Sequence, residues 1–266
     1  MILGSSAIDG GYLTFSADEK DAILRLDNKA KRFIKPYLGG GDILKGNFRY
    51  CLWIADDDVE EALKILPIKE RVDGCKSYRL GAGRDAKKAA SVPHRFFYRK
   101  YRDENALVVT MTSSERRLYL PADYLGKRVV VSNGSLVIYG AEPHTMSILS
   151  SKMHLVWIKT VCGQLETRIR YSNTLGWNNF PLPTLTKSNQ KDLARSAEEI
   201  LLAREAHFPA TLADLYDPDK MPDDLREAHE RNDEVLERIY IGRRFKNDTE
   251  RLEKLFDLYT KMTADK

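Results

Sequence analysis

The sequence predicts an α+β protein, a mixed and strand-rich part over residues 1–185 followed by a helical segment over residues 186–266. Three observations lead there. Short runs of branched and aromatic residues, as in FRYCLWIAD from Phe48 and again between Phe96 and Tyr139, are separated by turn residues such as Asn133-Gly134. Beyond Pro181 and Pro183 the apolar residues recur at helical spacing instead. The charge divides at the same place. Of 43 Lys/Arg and 39 Asp/Glu, residues 187–266 hold 15 and 19, which leaves 28 and 20 for residues 1–186.

The elements follow in order. Ser16 with Glu19 three residues on is a capping-box signature, and it predicts a helix through Ile23 and Leu26 toward Phe33. Pro36 and the run Gly39-Gly40-Gly41 end it. The stretch 48–56 reads as a buried strand, and 58–66 as a short helix stopped by Pro67. From residue 75 to about 177 the chain reads mostly as strand, with candidates at 96–101, 106–111, 118–120, 129–132 and 135–139. Residues 148–162 read as a helix, with Met153, Val156, Trp157 and Val161 on one face and Gly163 as its stop. Three amphipathic helices close the chain. Their apolar stripes are Leu193, Ala197, Ile200 and Leu201; Leu225, Ala228, Val235, Leu236 and Ile239; and Leu252, Leu255 and Phe256. PATLADLYDP, from Pro209, is a connector with a turn of its own.

Composition narrows the class. No apolar run reaches the ~18–20 residues a bilayer span needs, and no basic-then-apolar leader opens the chain. Cys51, Cys75 and Cys162 are odd in number and far apart, as reduced thiols are. A cytoplasmic protein without a membrane partner is expected. A basic body beside an acidic segment is the asymmetry of a chain of which one part faces a polyanion.

Four stretches bear on chemistry. Residues 76–102 hold nine Lys/Arg (Lys76, Arg79, Arg84, Lys87, Lys88, Arg95, Arg99, Lys100, Arg102) against the single acid Asp85, with Phe96, Phe97 and Tyr98 among them. Such a patch neutralises several phosphates, or it is a solvated basic loop. In SSERRLYLP, Arg116 and Arg117 follow a strand candidate, placed to grip a phosphate or to pair with Glu115. In QLETRIRYSN, Glu166, Arg168 and Arg170 alternate, and in a strand period-two spacing turns all three to one face. Glutamate accepts from the cytosine amino group and arginine donates twice to guanine, so the two can read both members of a G·C pair; an ordinary ion pair has the same spacing. GWNNFPLP resembles an amino-methyltransferase Asn-Pro-Pro-aromatic motif with its order wrong, and no methyl-donor glycine motif precedes it. His94, His144, His154, His207 and His229 lack zinc-ligand spacing, and Asp56, Asp57 and Asp58 suit a helix start. No catalytic residue and no metal ligand is identified.

Taken together, DGGYLTFSADEKDAIL, FIKPYLGGGDILKGNFRYCLWIAD, RLGAGRDAKKAASVPHRF, SSERRLYLP, SSKMHLVWIKTVCGQLETRIRYSNTLGWNNFPLP and PATLADLYDPDKMPDDLREAHE resemble, in order, blocks of the C-terminal half of the MmeI-like enzymes, single-chain type II restriction-modification proteins. The resemblance spans nearly the whole chain. It implies a DNA target-recognition domain over residues 1–185 and a helical C-terminal domain over 186–266, with double-stranded DNA and a methyltransferase domain as partners. The nuclease and the adenine-N6 methyltransferase, with its S-adenosylmethionine, would lie elsewhere in such an enzyme, so a non-catalytic fragment is expected. The resemblance also implies base-reading roles for Glu166, Arg168 and Arg170, with further positions at Met111, Asn133 and Gly134. The basic side chains Arg79, Arg84, Lys87, Lys88, Arg95, Arg116 and Arg117 are then expected on phosphates. A module for protein–protein assembly, with incidental DNA contact, is the alternative.

Overall fold

The computed structural model describes residues 1–264. In chain order its elements are β1 (Ile2–Leu3), β2 (Thr14–Ser16), α1 (Ala17–Leu26), β3 (Ile34–Leu38), α2 (Gly40–Lys45), β4 (Arg49–Leu52), α3 (Val59–Ala62), α4 (Leu66–Gly81) and α5 (Arg84–Lys88). Then come β5 (Ala106–Thr110), β6 (Thr112–Ser113), β7 (Ala122–Leu125), β8 (Val130–Val131), β9 (Ser135–Tyr139), α6 (Pro143–Leu149), α7 (Lys152–Val161), β10 (Gly163–Leu165) and β11 (Arg168–Arg170). The chain closes with α8 (Lys187–Glu205), α9 (Leu212–Leu215), α10 (Asp223–Ile241) and α11 (Asp248–Ala264). The fold is α+β, as expected. Two compact units are each assembled from separate stretches, one from residues 3–104 and 125–135, the other from 1–2, 105–124 and 136 onward.

In the first unit the sheet order is β2-β4-β3-β8. β2 and β3 flank β4 antiparallel, while β8 joins β3 in parallel with Tyr37 opposite Val130. α1 begins where the capping box places it: Ser16 Oγ accepts from the Glu19 N–H at 3.2 Å, and the Glu19 carboxylate accepts from the Ser16 N–H at 2.9 Å. It ends at Leu26 rather than near Phe33, because Asp27 turns extended and caps a separate 3-10 turn through the Lys29 N–H. Pro36 lies within β3, and Gly40 and Gly41 open α2 instead of ending a helix.

The largest departure is α4. Pro67 starts this 16-residue helix instead of stopping one; in a first turn the missing N–H has no partner to lose. Its inward stripe is Ile68, Val72, Cys75 and Arg79, at i, i+4, i+7 and i+11. Residues 75–88, expected to be strand-like, are therefore largely helical. Ile68, Val72 and Cys75 share a core with Leu13, Phe15, Ile23, Phe33, Leu52 and Ile54. Burial pushes the Cys75 thiol up to about 11 and raises Cys51 further, and all three cysteines are free and buried. Residues 96–101 form no strand; an isolated bridge joins Tyr98 to Ser6.

In the second unit β5 is buried along its length between β9 and β7, and β9 coincides with the strand expected at 135–139. Residues 118–120 are irregular, although Tyr119 and Leu120 are buried. The helix expected over 148–162 is two helices, broken at Ser150-Ser151, where Ser151 Oγ caps the His154 N–H at 3.1 Å. Gly163 is not its stop: Cys162 has already turned extended, and Gly163 opens β10. α8, α10 and α11 bury Leu193, Ala197, Ile200, Leu225, Ala228, Leu236 and Leu255, as their periodicity predicts. α8 packs on α6 and α10, and α11 on α7.

This second core also holds polar groups. Arg251 Nη2 lies 2.5 Å from Glu237 Oε1, both side chains buried. The Asp233 carboxylate accepts from the Tyr119 hydroxyl at 3.0 Å and the Lys152 N–H at 2.7 Å. His229 Nε2 meets the Tyr216 hydroxyl at 2.8 Å, and Arg204 Nε donates to the same oxygen at 2.8 Å. Among the described residues no helix is long and apolar enough to cross a membrane.

Candidate nucleic-acid interface

Two basic surfaces stand out, one in each unit. In the second unit β10 and β11 form a hairpin whose register sets Leu165 opposite Arg168 and Gly163 opposite Arg170, and β11 continues onto β6 with Ile169 opposite Ser113. Ile169 is buried and its neighbours Arg168 and Arg170 are exposed, so strand alternation turns both arginines outward. Glu166 does not share that strand. It sits in the turn with φ +58, a left-handed conformation, and reaches the arginine from the tip. Its carboxylate accepts from Arg168 Nη2 at 2.5 Å. An exposed pair of this kind contributes about 0–1 kcal/mol, so a base edge that supplies a donor and an acceptor can replace it at little cost.

The hairpin is rooted firmly. Tyr171, buried, donates its N–H to the Met111 carbonyl at 2.8 Å, and its hydroxyl meets His154 Nε2 at 2.7 Å. Burial holds His154 neutral, its pKa lowered to about 3. Gly176 is closed on by the Tyr171 ring, which a Cβ there would meet at 2.5 Å. Met111 lies between β5 and β6, half-buried against the core. Arg116 pairs with Asp219 at 2.6 Å, and Arg117, half-buried, reaches Ser113 Oγ at 3.4 Å.

In the first unit α5 presents Arg84, Lys87 and Lys88, all exposed, at i, i+3 and i+4. Lys88 is 3.4 Å from Asp85. A shallow hollow of about 330 Å³ beside it is lined by Lys88, Val92, Arg95, Phe97 and Arg99. Arg99 lies over the Trp53 ring at 4.7 Å from its centroid. Asp56 contacts both His94 and Arg95, and those hydrogen bonds hold its carboxyl down to about 2. Phe96 is a core residue, packed edge-on against Tyr37 at 5.5 Å, so it is not available to stack on a base.

Arg79 corrects the expectation of a phosphate contact. Its side chain is 0% exposed, and its guanidinium donates to the carbonyls of Ala7, Ile8, Ala89, Val92 and Arg95 at 2.7–3.1 Å. No donor remains for a ligand.

Asn133 and Gly134 form an exposed two-residue turn between β8 and β9. Beneath it the Asn133 N–H donates to the Ser5 carbonyl at 2.9 Å and the Ser135 hydroxyl accepts from the Gly40 N–H. A Cβ at Gly4 would come within 2.2 Å of the Ser132 carbonyl oxygen, so the segment under the turn needs a bare backbone there.

Comparison with known proteins decides the family. The family model described as the MmeI target recognition domain matches residues 1–184, and the one described as the MmeI C-terminal domain matches residues 185–265. The chain belongs to the MmeI family. DNA methyltransferase A of Bacillus subtilis (strain 168) is 36% identical over 261 residues, which is 98% of this chain and 30% of that protein. The solved structure of the type IIL restriction-modification enzyme MmeI in complex with DNA superposes with a TM-score of 0.94 at 31% identity, covering 98% of this chain and 35% of that one. The chain therefore spans about a third of the length of these relatives.

The DGG block near Asp9 and the WNNFP block near Trp177 are tightly built. Asp9 is buried, and its Oδ2 accepts from the Leu13 N–H at 2.6 Å, the Thr14 N–H at 2.8 Å and the Thr14 hydroxyl at 3.1 Å. In the WNNFP block Asn179 donates to the Thr174 carbonyl at 3.0 Å, and Phe180 is buried edge-on to His154. Sequence reading missed the interior role of Arg79 and the grip of Asp56 on Arg95. The first had a signal, the helical spacing from Ile68. The second had none, because 39 residues separate the partners. Among the described residues no group of three His, Cys, Asp or Glu is placed to hold a metal ion.

Proposed function

We propose that this chain reads base sequence in duplex DNA for a type II restriction-modification adenine-N6 methyltransferase, and that it does none of the chemistry itself. The observation that carries the reading is the β10–β11 hairpin. It is an exposed hairpin at the edge of the three-stranded sheet β10-β11-β6, with two arginines on its outer face, a carboxylate at its tip and a root fixed in the core. The tip beyond β6, where only β10 and β11 pair, has the two-stranded width that the major groove admits. Arg168 and Arg170 donate there to guanine O6 and N7, and Glu166 accepts from the cytosine amino group. The exposed Asn133 amide, the Gly134 backbone and the apolar Met111 side chain complete the base-reading set.

Arg84, Lys87, Lys88, Arg95, Arg116 and Arg117 hold phosphates and set the register without reading sequence. Arg95 and Arg116 exchange Asp56 and Asp219 for a phosphate on binding. The division of role falls near Leu185, with residues 1–185 for recognition and the following helices as their support. S-adenosylmethionine and base flipping belong to the methyltransferase part of such an enzyme. Selection of a random duplex library by the protein tests this. Enrichment of a short asymmetric motif containing a C·G pair, lost at that one position in Arg168→Ala at a cost of about 1–3 kcal/mol, is expected. Uniform weakening on all sequences in Arg168→Ala would overturn the base-reading role, and salt-resistant protein association without DNA binding would favour an assembly module.

A further inference from the structure

We propose that Arg79 is the positioning residue of the basic segment, a buried cation that touches no DNA yet sets how many phosphates Arg84, Lys87, Lys88 and Arg95 can reach. This rests on the reading of that segment as a phosphate surface.

The case starts from the chain after α4. From Ala89 to Asn105 it has no regular secondary structure beyond the Tyr98 bridge, so its buried carbonyl groups cannot be paired by a ladder. Single turns give Ala89 O and Val92 O one backbone donor each, from the Val92 and Arg95 N–H groups, and Arg79 adds a second donor to both and one to Arg95 O. Nη1 donates to Ala89 O at 3.0 Å and Val92 O at 3.1 Å, and Nη2 to Arg95 O at 2.7 Å. Those three carbonyls mark the end of α5, the middle of the loop and the backbone of a phosphate candidate.

The other side of the same guanidinium holds a second segment. Nη2 donates to Ala7 O at 2.8 Å and Nε to Ile8 O at 2.9 Å. Ile8 carries φ +47, a conformation that a β-branched residue rarely adopts. The next turn is pinned by α4 as well: a Cβ on Gly10 would meet the Tyr78 ring at 2.6 Å, and one on Gly74 would meet the Tyr12 ring at 2.3 Å. α4 thus fixes residues 7–12 through Tyr78 and Gly74, and Arg79 transmits that fixed frame to residues 89–95.

Geometry explains why the residue is arginine. The planar fork offers five N–H donors in set directions, whereas lysine offers three on a flexible stem. Among the described residues no carboxylate bonds the buried Arg79 side chain; its hydrogen bonds there all go to backbone carbonyls. Its five N–H donors are spent on peptide carbonyls, so removing it releases backbone rather than another side chain.

The test compares Arg79→Met, Arg79→Lys and the surface variant Lys87→Ala/Lys88→Ala in the full chain. Two readouts are taken below the melting transition: amide hydrogen exchange, and the slope of log affinity against log salt on duplex DNA. Each phosphate contact contributes about 0.9 to that slope. Arg79→Met is expected to raise exchange within residues 84–97 while β4 and α1 stay protected, and to flatten the slope by about 1–2. Arg79→Lys should fall between it and wild type, which keeps the question open to measurement where the methionine variant fails to fold. A slope unchanged in both Arg79 variants, while Lys87→Ala/Lys88→Ala flattens it, overturns the positioning role alone. A slope unchanged in all three overturns the phosphate reading of the segment and this role with it.

Discussion

Arg79 in one unit and Arg251 in the other are buried in opposite ways. In the first, Arg79 is enclosed by backbone carbonyls. In the second, Arg251 and Glu237 are enclosed against each other, and Asp233 against a tyrosine hydroxyl and a peptide N–H. A cation held by carbonyls shapes irregular chain, which has peptide groups to spare. A cation held by a carboxylate joins elements whose peptide groups are already paired within helices, here α10 and α11. The first unit therefore carries a long loop segment rich in exposed lysine and arginine. The second carries a scaffold on which one short hairpin stands.

The comparison breaks first at Glu237. Glu237→Ala leaves Arg251 buried with Asp248 as its remaining acid and also removes the acceptor of the Phe245 N–H. The expected loss is about 3–5 kcal/mol in denaturant unfolding, while a paired replacement of Glu237 and Arg251 by apolar residues should recover much of it. Equal losses in the single and paired variants would mean that packing, not charge, sets the cost. Next comes Ile169→Ala, which empties the inner side of the hairpin and should cost about 2–5 kcal/mol, while amides of the first unit keep their exchange rates.

The third effect is a pH dependence. Burial raises the Asp233 carboxyl to about 7, above its ordinary value near 4. Between those values the folded protein holds a proton that the unfolded chain releases. Its contribution is therefore complete below about pH 4 and is lost as pH rises toward 7, at up to about 1.4 kcal/mol per unit. The buried histidines His154 and His229, both held down by burial, act in the opposite sense below pH 6.5. The difference curve between wild type and Asp233→Asn isolates the carboxyl, and a flat difference from pH 4 to 7 would refute its burial cost. Smallest in stability is Glu166→Gln, expected within about 1 kcal/mol of wild type, with its effect confined to preference for one base pair in library selection.

How much of this could be read beforehand follows the length and regularity of each element. α8, α10 and α11 were legible because many turns repeat one apolar face. α4 was not, since Pro67 is a stop in one context and a first-turn residue in another, and only the whole stripe from Ile68 to Arg79 decides between them. The alternation of Arg168 and Arg170 was legible as strand. That Glu166 belongs to the turn was not, because period-two spacing runs unbroken through a tight hairpin and only the positive φ separates them. Arg84, Lys87 and Arg79 look alike in a basic run; burial distinguishes them, and burial is a property of the packed helix.

The parallel pairing of β3 with β8 has a bearing on recombination. The strand that completes the sheet of residues 3–104 comes from residues 130–131, after the chain has passed through β5, β6 and β7 of the other unit. A cut-and-paste exchange of residues 3–104 between two homologues would leave Tyr37 and Leu38 facing a foreign edge strand. An exchange that keeps partners together carries residues 125–135 with it, and with them the Asn133-Gly134 turn, so shuffling the basic surface between homologues also shuffles part of the proposed base-reading set.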